Sequence, residues 1–229
     1  MPGENLEPTC AHCGIWSCRT RNEAKYPAFC LTKNTDPDLL REALDAYAAP
    51  GDSLRVAREA AILEADAYGR LTRVEETIEF IRRMGYRSIG IASCVGMMPE
   101  TSIFSSILSG EGMESYTVGC KIGAVDKSVI GIPEGKKLNG GCGHESMCNP
   151  IMQAKKLAER KTDFNIVIGL CVGHDTLFLQ HSKAPVTVMI VKDRALGHNP
   201  VAALYTARGM YSRFRKKKPD AADSLSRIK

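Results

Sequence analysis

The sequence lacks any apolar run long enough to cross a membrane. Its longest apolar stretches, residues 89–95 and 166–172, fall far short of the roughly 20 residues that a membrane helix needs. The first seven residues have neither the basic nor the apolar segment of a signal peptide. We therefore predict a cytoplasmic protein that does not associate with a membrane.

A strong excess of charge of one sign is also missing. The 229 residues include 31 Lys and Arg against 26 Asp and Glu, and much of the net charge of +5 lies in one run between Arg213 and Lys218. The rest of the chain is close to neutral, which argues against a nucleic-acid-binding surface. P-loop, G-x-G-x-x-G and nucleophile-elbow motifs are absent, which disfavours nucleotide binding and Ser-His-Asp hydrolysis.

The composition, 44% hydrophobic and 25% charged, is that of a chain with enough apolar residues to form a core. Beyond residue 35, helical and strand periodicities alternate, and strands separated by helices favour a parallel sheet. We predict an α/β fold, a Rossmann-like parallel sheet of about four strands with flanking helices, preceded by a small N-terminal four-Cys metal module. The predicted strands are residues 88–93, 116–122, 165–170 and 186–191.

Composition divides the chain into four predicted parts. They are a Cys-rich metal-binding module (1–35), a helical connector (36–85), an α/β domain with a second Cys site (86–210) and a basic flexible tail (211–229). Within the connector, Thr72 and Glu75 have the spacing of a capping box, and Gly85 is placed to end the same helix.

Nine cysteines in a cytoplasmic chain of this length indicate metal binding or thiol chemistry rather than a disulfide framework. Cys10, Cys13, Cys18 and Cys30 form a C-x2-C-x4-C-x11-C run, in which four thiolates can surround one metal centre. This spacing is compatible with zinc and with a [4Fe–4S] cluster. His12 is an alternative ligand.

The five later cysteines form a second candidate site that binds a cofactor. Residues 89–96 and 166–173 share the pattern of an apolar strand followed by Cys-Val-Gly. Since ligands of parallel α/β sheets bind outside the carboxyl ends of the strands, cysteines at these ends are expected to converge. The predicted cofactor ligands are Cys94, Cys120, Cys142, Cys148 and Cys171. For each of them, burial as a small apolar residue is the alternative interpretation.

A glycine-rich loop between Cys142 and Cys148 brings polar groups to the same region. His144 and Glu145 lie inside this loop and His174 follows the second Cys-Val-Gly, so these three residues are the predicted catalytic acid–base groups. The helix predicted to begin near residue 150 favours a thiolate just before its N-terminus.

Three motifs then carry a family resemblance: residues 142–150 (CGHESMCNP), 171–175 (CVGHD) and 192–200 (KDRALGHNP). With Cys94 and the N-terminal cysteines, they resemble an uncharacterised family of Cys-rich proteins of anaerobic bacteria and archaea that are described only as metal-binding. The resemblance covers nearly the whole chain. It implies metal at the cysteines and an anaerobic setting, and it supplies no reaction.

We therefore predict a metal-binding protein with an iron–sulfur cluster of the [4Fe–4S] type at the strand ends, acting as a redox or lyase-type enzyme. Its expected partners are a redox partner protein or a small-molecule substrate. An electron-transfer or metal-carrier protein without its own substrate is one alternative. The other is a structural or regulatory protein stabilised by zinc at the N-terminal four-Cys site.

Overall fold

A computed structural model of the chain describes residues 7–141 and 143–215. The chain divides into two compact units, residues 1–62 and 63–229. Within the described ranges, none of the helices has the length and apolar character required to cross a bilayer.

The first unit has helices but no buried residue between positions 7 and 62. Asp36 caps helix α2 by accepting a hydrogen bond from the Asp38 N–H at 2.9 Å, and Pro37 occupies the first helical position. The elements here are α1 (Leu31–Asn34), α2 (Pro37–Ala48), the beginning of α3 (Ser53–Ala67) and single 3₁₀ turns at Cys10–His12, Ser17–Thr20 and Glu23–Lys25. This unit is therefore not held together by an apolar core.

The second unit is an α/β domain. Its helices are the end of α3, α4 (Arg73–Met84), α5 (Met98–Gly110), α6 (Pro150–Glu159), α7 (His174–His181) and α8 (Val201–Tyr205). Its strands are β1 (Ser88–Ser93), β2 (Glu114–Gly119), β3 (Phe164–Ile168) and β4 (Val186–Ile190). Short 3₁₀ turns lie at Val95–Met97, Lys127–Ile130, Glu134–Lys136 and Ser212–Phe214.

Helix α4 begins and ends as its sequence predicts. Thr72 and Glu75 form both hydrogen bonds of a capping box, and Gly85 ends the helix with φ 66°. Ile78, Ile81 and Met84 are buried on one side of the helix, which explains why this amphipathic segment packs on the sheet.

The four strands form one parallel sheet in the order β2-β1-β3-β4. The two central strands are buried almost throughout, whereas β2 and β4 are partly exposed, as expected for the centre and the edges of such a sheet. The predicted α/β fold with a four-stranded parallel sheet is thus confirmed.

Strand order determines which helices share a face. Right-handed crossovers in this order place α5 on one face and α6 and α7 on the other, in agreement with the contacts between α6 and α7. Strand β2 pairs with one side of β1 and strand β3 pairs with the other side. The topological switch point therefore lies between the carboxyl ends of β1 and β3.

The structure corrects the bounds of three predicted elements. Strand β2 ends at Gly119 rather than at residue 122, because residues 120–123 form a turn. Strand β3 ends at Ile168 because Gly169 has φ 61°. Strand β4 ends at Ile190, one residue earlier than predicted. The predicted four-part division stays a prediction, and residues 216–229 of the predicted tail lie outside the described residues.

One glycine in the centre of the sheet is required for close packing. A Cβ atom at Gly90 would lie 2.1 Å from Asn165 Oδ1 and 2.9 Å from Leu157 Cδ1. Asn165 is buried and is bonded on both sides, accepting from Thr162 Oγ1 at 2.7 Å and donating to Ser182 Oγ at 2.8 Å. Neither neighbour can move without breaking a buried contact.

We predict that Gly90→Ala destabilises the α/β domain by about 1 to 3 kcal/mol, since overpacking forces these neighbours apart. Gly110→Ala is the matched control, because nothing lies within 4 Å of a Cβ at this exposed last residue of α5. Denaturant unfolding measures both changes. Equal stability of the two variants would contradict the packing described here.

Candidate functional site

Four free cysteines lie at the carboxyl edge of the sheet. Cys94 and Cys120 directly follow β1 and β2, Cys171 is three residues beyond β3, and Cys148 precedes α6. We call these four residues the thiol crevice. Cys94 and Cys120 are buried, with 8% and 2% of their surface exposed, and the other two are half-buried. This edge of the sheet therefore carries both buried and accessible thiols.

The closest pair in the thiol crevice is Cys120 and Cys148, whose Sγ atoms are 3.7 Å apart. The backbone N–H of Val95 donates to Cys120 Sγ at 3.4 Å, so the segment after β1 contacts the cysteine after β2. The N–H of Asn149 donates to the carbonyl oxygen of Cys120 at 2.7 Å. These bonds hold the start of α6 against the end of β2.

A buried glutamine in α6 also binds the ends of these two strands. Gln153 is fully buried, and its Nε2 donates to the carbonyl oxygens of Ser93 at 3.1 Å and Val118 at 2.6 Å. These two residues lie just before Cys94 and the end of β2. Among the described residues, Gln153 Oε1 has no hydrogen-bond partner. The glutamine thus links the ends of β1 and β2 and leaves one buried acceptor unused.

Positive groups surround the thiols. Arg194 Nη2 lies 3.0 Å from Cys171 Sγ. Lys121 follows Cys120 directly, and its Nζ donates to the carbonyl oxygen of Ser146 at 2.5 Å. Lys192 lies just beyond β4 and is half-buried. Cationic neighbours of this kind stabilise thiolates over thiols.

These contacts shift the pKa values of the crevice groups. A hydrogen bond with Cys120 lowers the pKa of Cys148, with further help from the charges of Lys121 and His174. The same hydrogen bond, together with burial, raises the pKa of Cys120. The pKa of Arg194 is raised by its hydrogen bond to Cys171. The contact between Cys120 and Cys148 therefore favours the thiolate form of Cys148 over that of Cys120.

The segment that holds Arg194 is a compact turn. Asp193 Oδ1 accepts from the N–H groups of Ala195 and Leu196, both at 2.9 Å. His198 Nδ1 accepts from the Asp193 N–H at 3.1 Å. The turn fixes the backbone on both sides of Arg194 and so directs its side chain toward Cys171.

Residues 121–148 form a polar loop built around Asp126. Its carboxylate accepts from the N–H groups of Ser128 at 2.9 Å and Glu145 at 2.8 Å and lies 3.1 Å from Lys137 Nζ. The two backbone N–H groups lower the pKa of Asp126, and Lys137 adds to this effect. The Lys137 side chain is only 3% exposed, so a buried lysine paired with a half-buried carboxylate takes the place of an apolar core in this loop.

The predicted acid–base residues occupy two different settings. Glu145 accepts from the N–H groups of Leu138 at 2.6 Å and Asn139 at 3.3 Å, and its ion pair with Lys127 lowers the pKa of Glu145. His144 is exposed and bonds to Ser146 Oγ at 2.9 Å. These contacts fasten both side chains within the loop.

His174, the third predicted acid–base residue, lies at the first position of α7. Its charge is among those acting on Cys148. Asp175 next to it accepts from the N–H groups of Gly173 and Thr176 at 3.0 and 2.7 Å. His174 is therefore the predicted catalytic residue that adjoins the thiol crevice.

The N-terminal cysteines lie in the first unit and are exposed or half-buried. The N–H of Trp16 donates to Cys13 Sγ at 3.4 Å. Hydrogen bonds from the backbone of Lys33 and from Thr32 lower the pKa of Cys30. Sulfur atoms that accept backbone hydrogen bonds are favoured as thiolates, as a metal ligand must be.

Cys142 lies outside the described residues. Within the ranges that are described, no three His, Cys, Asp or Glu side chains are grouped so that they could hold one metal ion. The ligand sets proposed from the sequence therefore stay predictions.

Three residues of the site were not singled out by the sequence: Lys121, Asp126 and Gln153. Lys121 could have been noticed as the only cation directly after one of the predicted strand-end cysteines. The roles of Asp126 and Gln153 depend on contacts distant in the chain and have no local signal.

Comparison with known proteins places the chain among relatives. Residues 30–189 match the family described as "Protein of unknown function (DUF1847)". The chain belongs to this family. It is also 42% identical over 197 residues to the uncharacterized protein MJ0455 of Methanocaldococcus jannaschii, a match that covers 86% of this chain and 93% of that protein. The expected uncharacterised family with an archaeal member is confirmed, and neither description names a metal or an activity.

We predict that Cys148 is alkylated faster than Cys120 by iodoacetamide in the reduced, metal-free protein near neutral pH. Alkylation follows the thiolate fraction and access, and Cys148 has the lowered pKa and the greater exposure. Lys121→Met should slow the reaction of Cys148 by removing a charge that favours its thiolate. Peptide mass spectrometry gives the rate at each cysteine.

Lys155→Met is the control for this experiment, because Lys155 is an exposed cation of α6 that is not among the charges acting on Cys148. Equal slowing by both substitutions, or faster alkylation of Cys120, would show that the described electrostatics are wrong.

Proposed function

We propose that the thiol crevice binds an iron–sulfur cluster and that the protein uses it in redox or lyase-type catalysis. The observation that supports this proposal is the gathering of four free cysteines from four separate chain segments at one edge of the sheet. Iron–sulfur clusters of the [4Fe–4S] type take four cysteine thiolates. Cys142, predicted from its place in the glycine-rich loop, is a further candidate ligand.

The charges of the crevice suit such a cofactor. Four thiolates around a cluster carry a net negative charge, and Arg194 and Lys121 supply positive charge beside them. Hydrogen bonds to the ligand sulfurs tune cluster potentials, and Val95 and Arg194 already provide two of these. The positive charges and the hydrogen bonds to sulfur therefore support the proposal.

The cluster, when bound, supplies electron transfer or, at an iron atom without a cysteine ligand, Lewis acidity. The chain itself supplies the protein groups around it. His174 is the nearest predicted acid–base residue and could hold or release a proton at the crevice. The catalytic roles of His144 and Glu145 stay predictions, and their contacts favour a role in holding the loop.

A second metal centre is proposed for the N-terminal cysteines, with zinc or an iron–sulfur cluster bound by Cys10, Cys13, Cys18 and Cys30. The support for it is that residues 7–62 contain no buried residue. A unit without an apolar core needs another source of stability, and the binding free energy of a structural metal is folding free energy.

The separation of 3.7 Å between Cys120 and Cys148 favours one other candidate function, dithiol–disulfide exchange with a small disulfide. The Cys148 thiolate would attack the small disulfide and release one thiol. Cys120 would then attack the mixed disulfide, forming a Cys120–Cys148 bond and releasing the second thiol. This reaction transfers two electrons from the protein to the small disulfide and needs no metal.

We expect protein purified without oxygen to be brown and to contain iron and acid-labile sulfide. Replacing both Cys94 and Cys148 by Ser should remove the crevice iron, because two of the four proposed ligands are lost. Replacing Cys10 and Cys13 by Ser should leave that iron in place. Iron, sulfide and zinc analysis of the three proteins measures this.

Wild-type iron and sulfide content in the Cys94→Ser, Cys148→Ser protein would contradict the cluster proposal. Colourless protein whose four crevice cysteines hold zinc would contradict it as well. A colourless protein that reduces a small disulfide and loses two hydrogen masses would favour dithiol exchange instead.

For the N-terminal centre, we predict that Cys10→Ser, Cys13→Ser releases one metal centre and speeds hydrogen exchange of residues 7–62. Exchange in the strands should stay unchanged, because they have their own apolar core. Arg19→Gln, a change at an exposed residue of the same segment, is the control. Unchanged metal content and exchange in the double variant would disprove a metal centre in this unit.

A further inference from the structure

The thiol crevice contains a cation whose role the cluster ligands do not explain. Lys192 is half-buried and, among the described residues, takes part in no hydrogen bond or ion pair. Its ammonium group is therefore available to an acceptor that the described residues do not supply. A half-buried, unpaired lysine beside a candidate active site therefore indicates a negative partner that arrives from outside the chain.

Two glycines define where this ammonium group lies. A Cβ atom built on Gly96 would be 3.9 Å from both Lys192 Nζ and Cys94 Sγ. One built on Gly169 would be 3.7 Å from Lys192 Nζ. Since Gly96 follows β1 and Gly169 follows β3, the ammonium group lies at the topological switch point of the sheet, where α/β proteins bind ligands.

Because these two residues are glycines, no side chain fills the space next to the Lys192 ammonium group. A side chain at Gly169 would clash with Met97, whose Cγ is 2.6 Å from the Cβ position, and the backbone there has φ 61°. Both observations mean that glycine is needed at this strand end. The space beside the ammonium group is thus bounded by backbone, by Cys94 and by Met97.

The Cys-Val-Gly repeat adds an apolar component. Val95 and Val172 are exposed to 46% and 89%, and each directly follows a crevice cysteine. They lie after neighbouring strands, so both repeats present an exposed valine at the same sheet edge. The two valines and Lys192 therefore form a surface at this edge that has one positive charge and exposed apolar side chains.

We infer that this switch-point site binds a small organic carboxylate, with its carboxylate on Lys192 and its short apolar chain toward Val95 and Val172. One free ammonium group matches a singly charged group, and the sequence lacks the P-loop that serves a phosphate. The guanidinium of Arg194 is bonded to Cys171 and adds positive charge to the same edge. The inference rests on the proposed function in taking the thiol crevice as the reactive site, and the carboxylate is the substrate class of that site.

Equilibrium dialysis of the anaerobically purified full chain against radiolabelled isobutyrate and acetate tests the site. We expect isobutyrate to bind more tightly than acetate, and isobutyramide, its neutral isostere, to compete with neither. Lys192→Gln should weaken isobutyrate binding about tenfold or more, as expected for loss of a hydrogen bond to a charged group. Lys155→Gln, which removes an exposed lysine of α6, should leave it unchanged.

A second variant tests the apolar part separately. Val172→Thr keeps the shape of the side chain and makes it polar, so isobutyrate should lose its advantage over acetate while acetate binding stays the same. Binding that is unaffected by Lys192→Gln, or equally weakened by Lys155→Gln, would overturn the inference.

Metal analysis of the same samples separates this inference from the proposed function. If the protein contains iron and Lys192→Gln does not change its isobutyrate binding, the carboxylate site is disproved and the cluster proposal stands. Protein without iron that binds isobutyrate through Lys192 supports the site and disproves the cluster.

Discussion

The parallel pairing of β1 between β2 and β3 is the constraint on which the candidate site depends. Because the three strands run the same way, each delivers its next residues to one edge, and the cysteines after them meet there. The pairing continues past the strands, since the Cys94 N–H still donates to the Ile168 carbonyl oxygen at 3.1 Å. Cys94 is therefore held by the sheet itself rather than by a loop.

Hydrogen bonds and ion pairs fix the residues near this edge that are not part of the sheet. Gln153 joins α6 to the ends of β1 and β2, and the bond between Asn149 and the Cys120 carbonyl places Cys148 beside Cys120. The long loop before α6 is organised around the buried side chain of Lys137, which pairs with both Asp126 and Glu134. The loop that brings Cys148 to the site therefore depends on electrostatics rather than apolar packing.

Features that depend on local sequence patterns could be predicted from the sequence. Hydrophobic periodicity predicted the four strands, and the two Cys-Val-Gly segments predicted that Cys94 and Cys171 follow strand ends at the same edge of the sheet. The pairing of Cys120 with Cys148 needs the position of α6 against β2, which no local spacing specifies. Glu145 shows the same limit, because a glutamate in a glycine-rich loop has the appearance of a catalytic group until its partners Lys127 and Leu138 are known.

The two sets of cysteines are independent in their physical basis. Those of the thiol crevice all lie within residues 30–189, the range that matches the family, and are attached to a sheet with its own apolar core. Cys10, Cys13 and Cys18 lie before that range, in a unit that has no buried residue between positions 7 and 62. A metal in the first unit would therefore act on folding. A metal in the crevice would meet a site whose strands are already formed, where its binding free energy is available for holding a ligand or changing a potential rather than for building the fold.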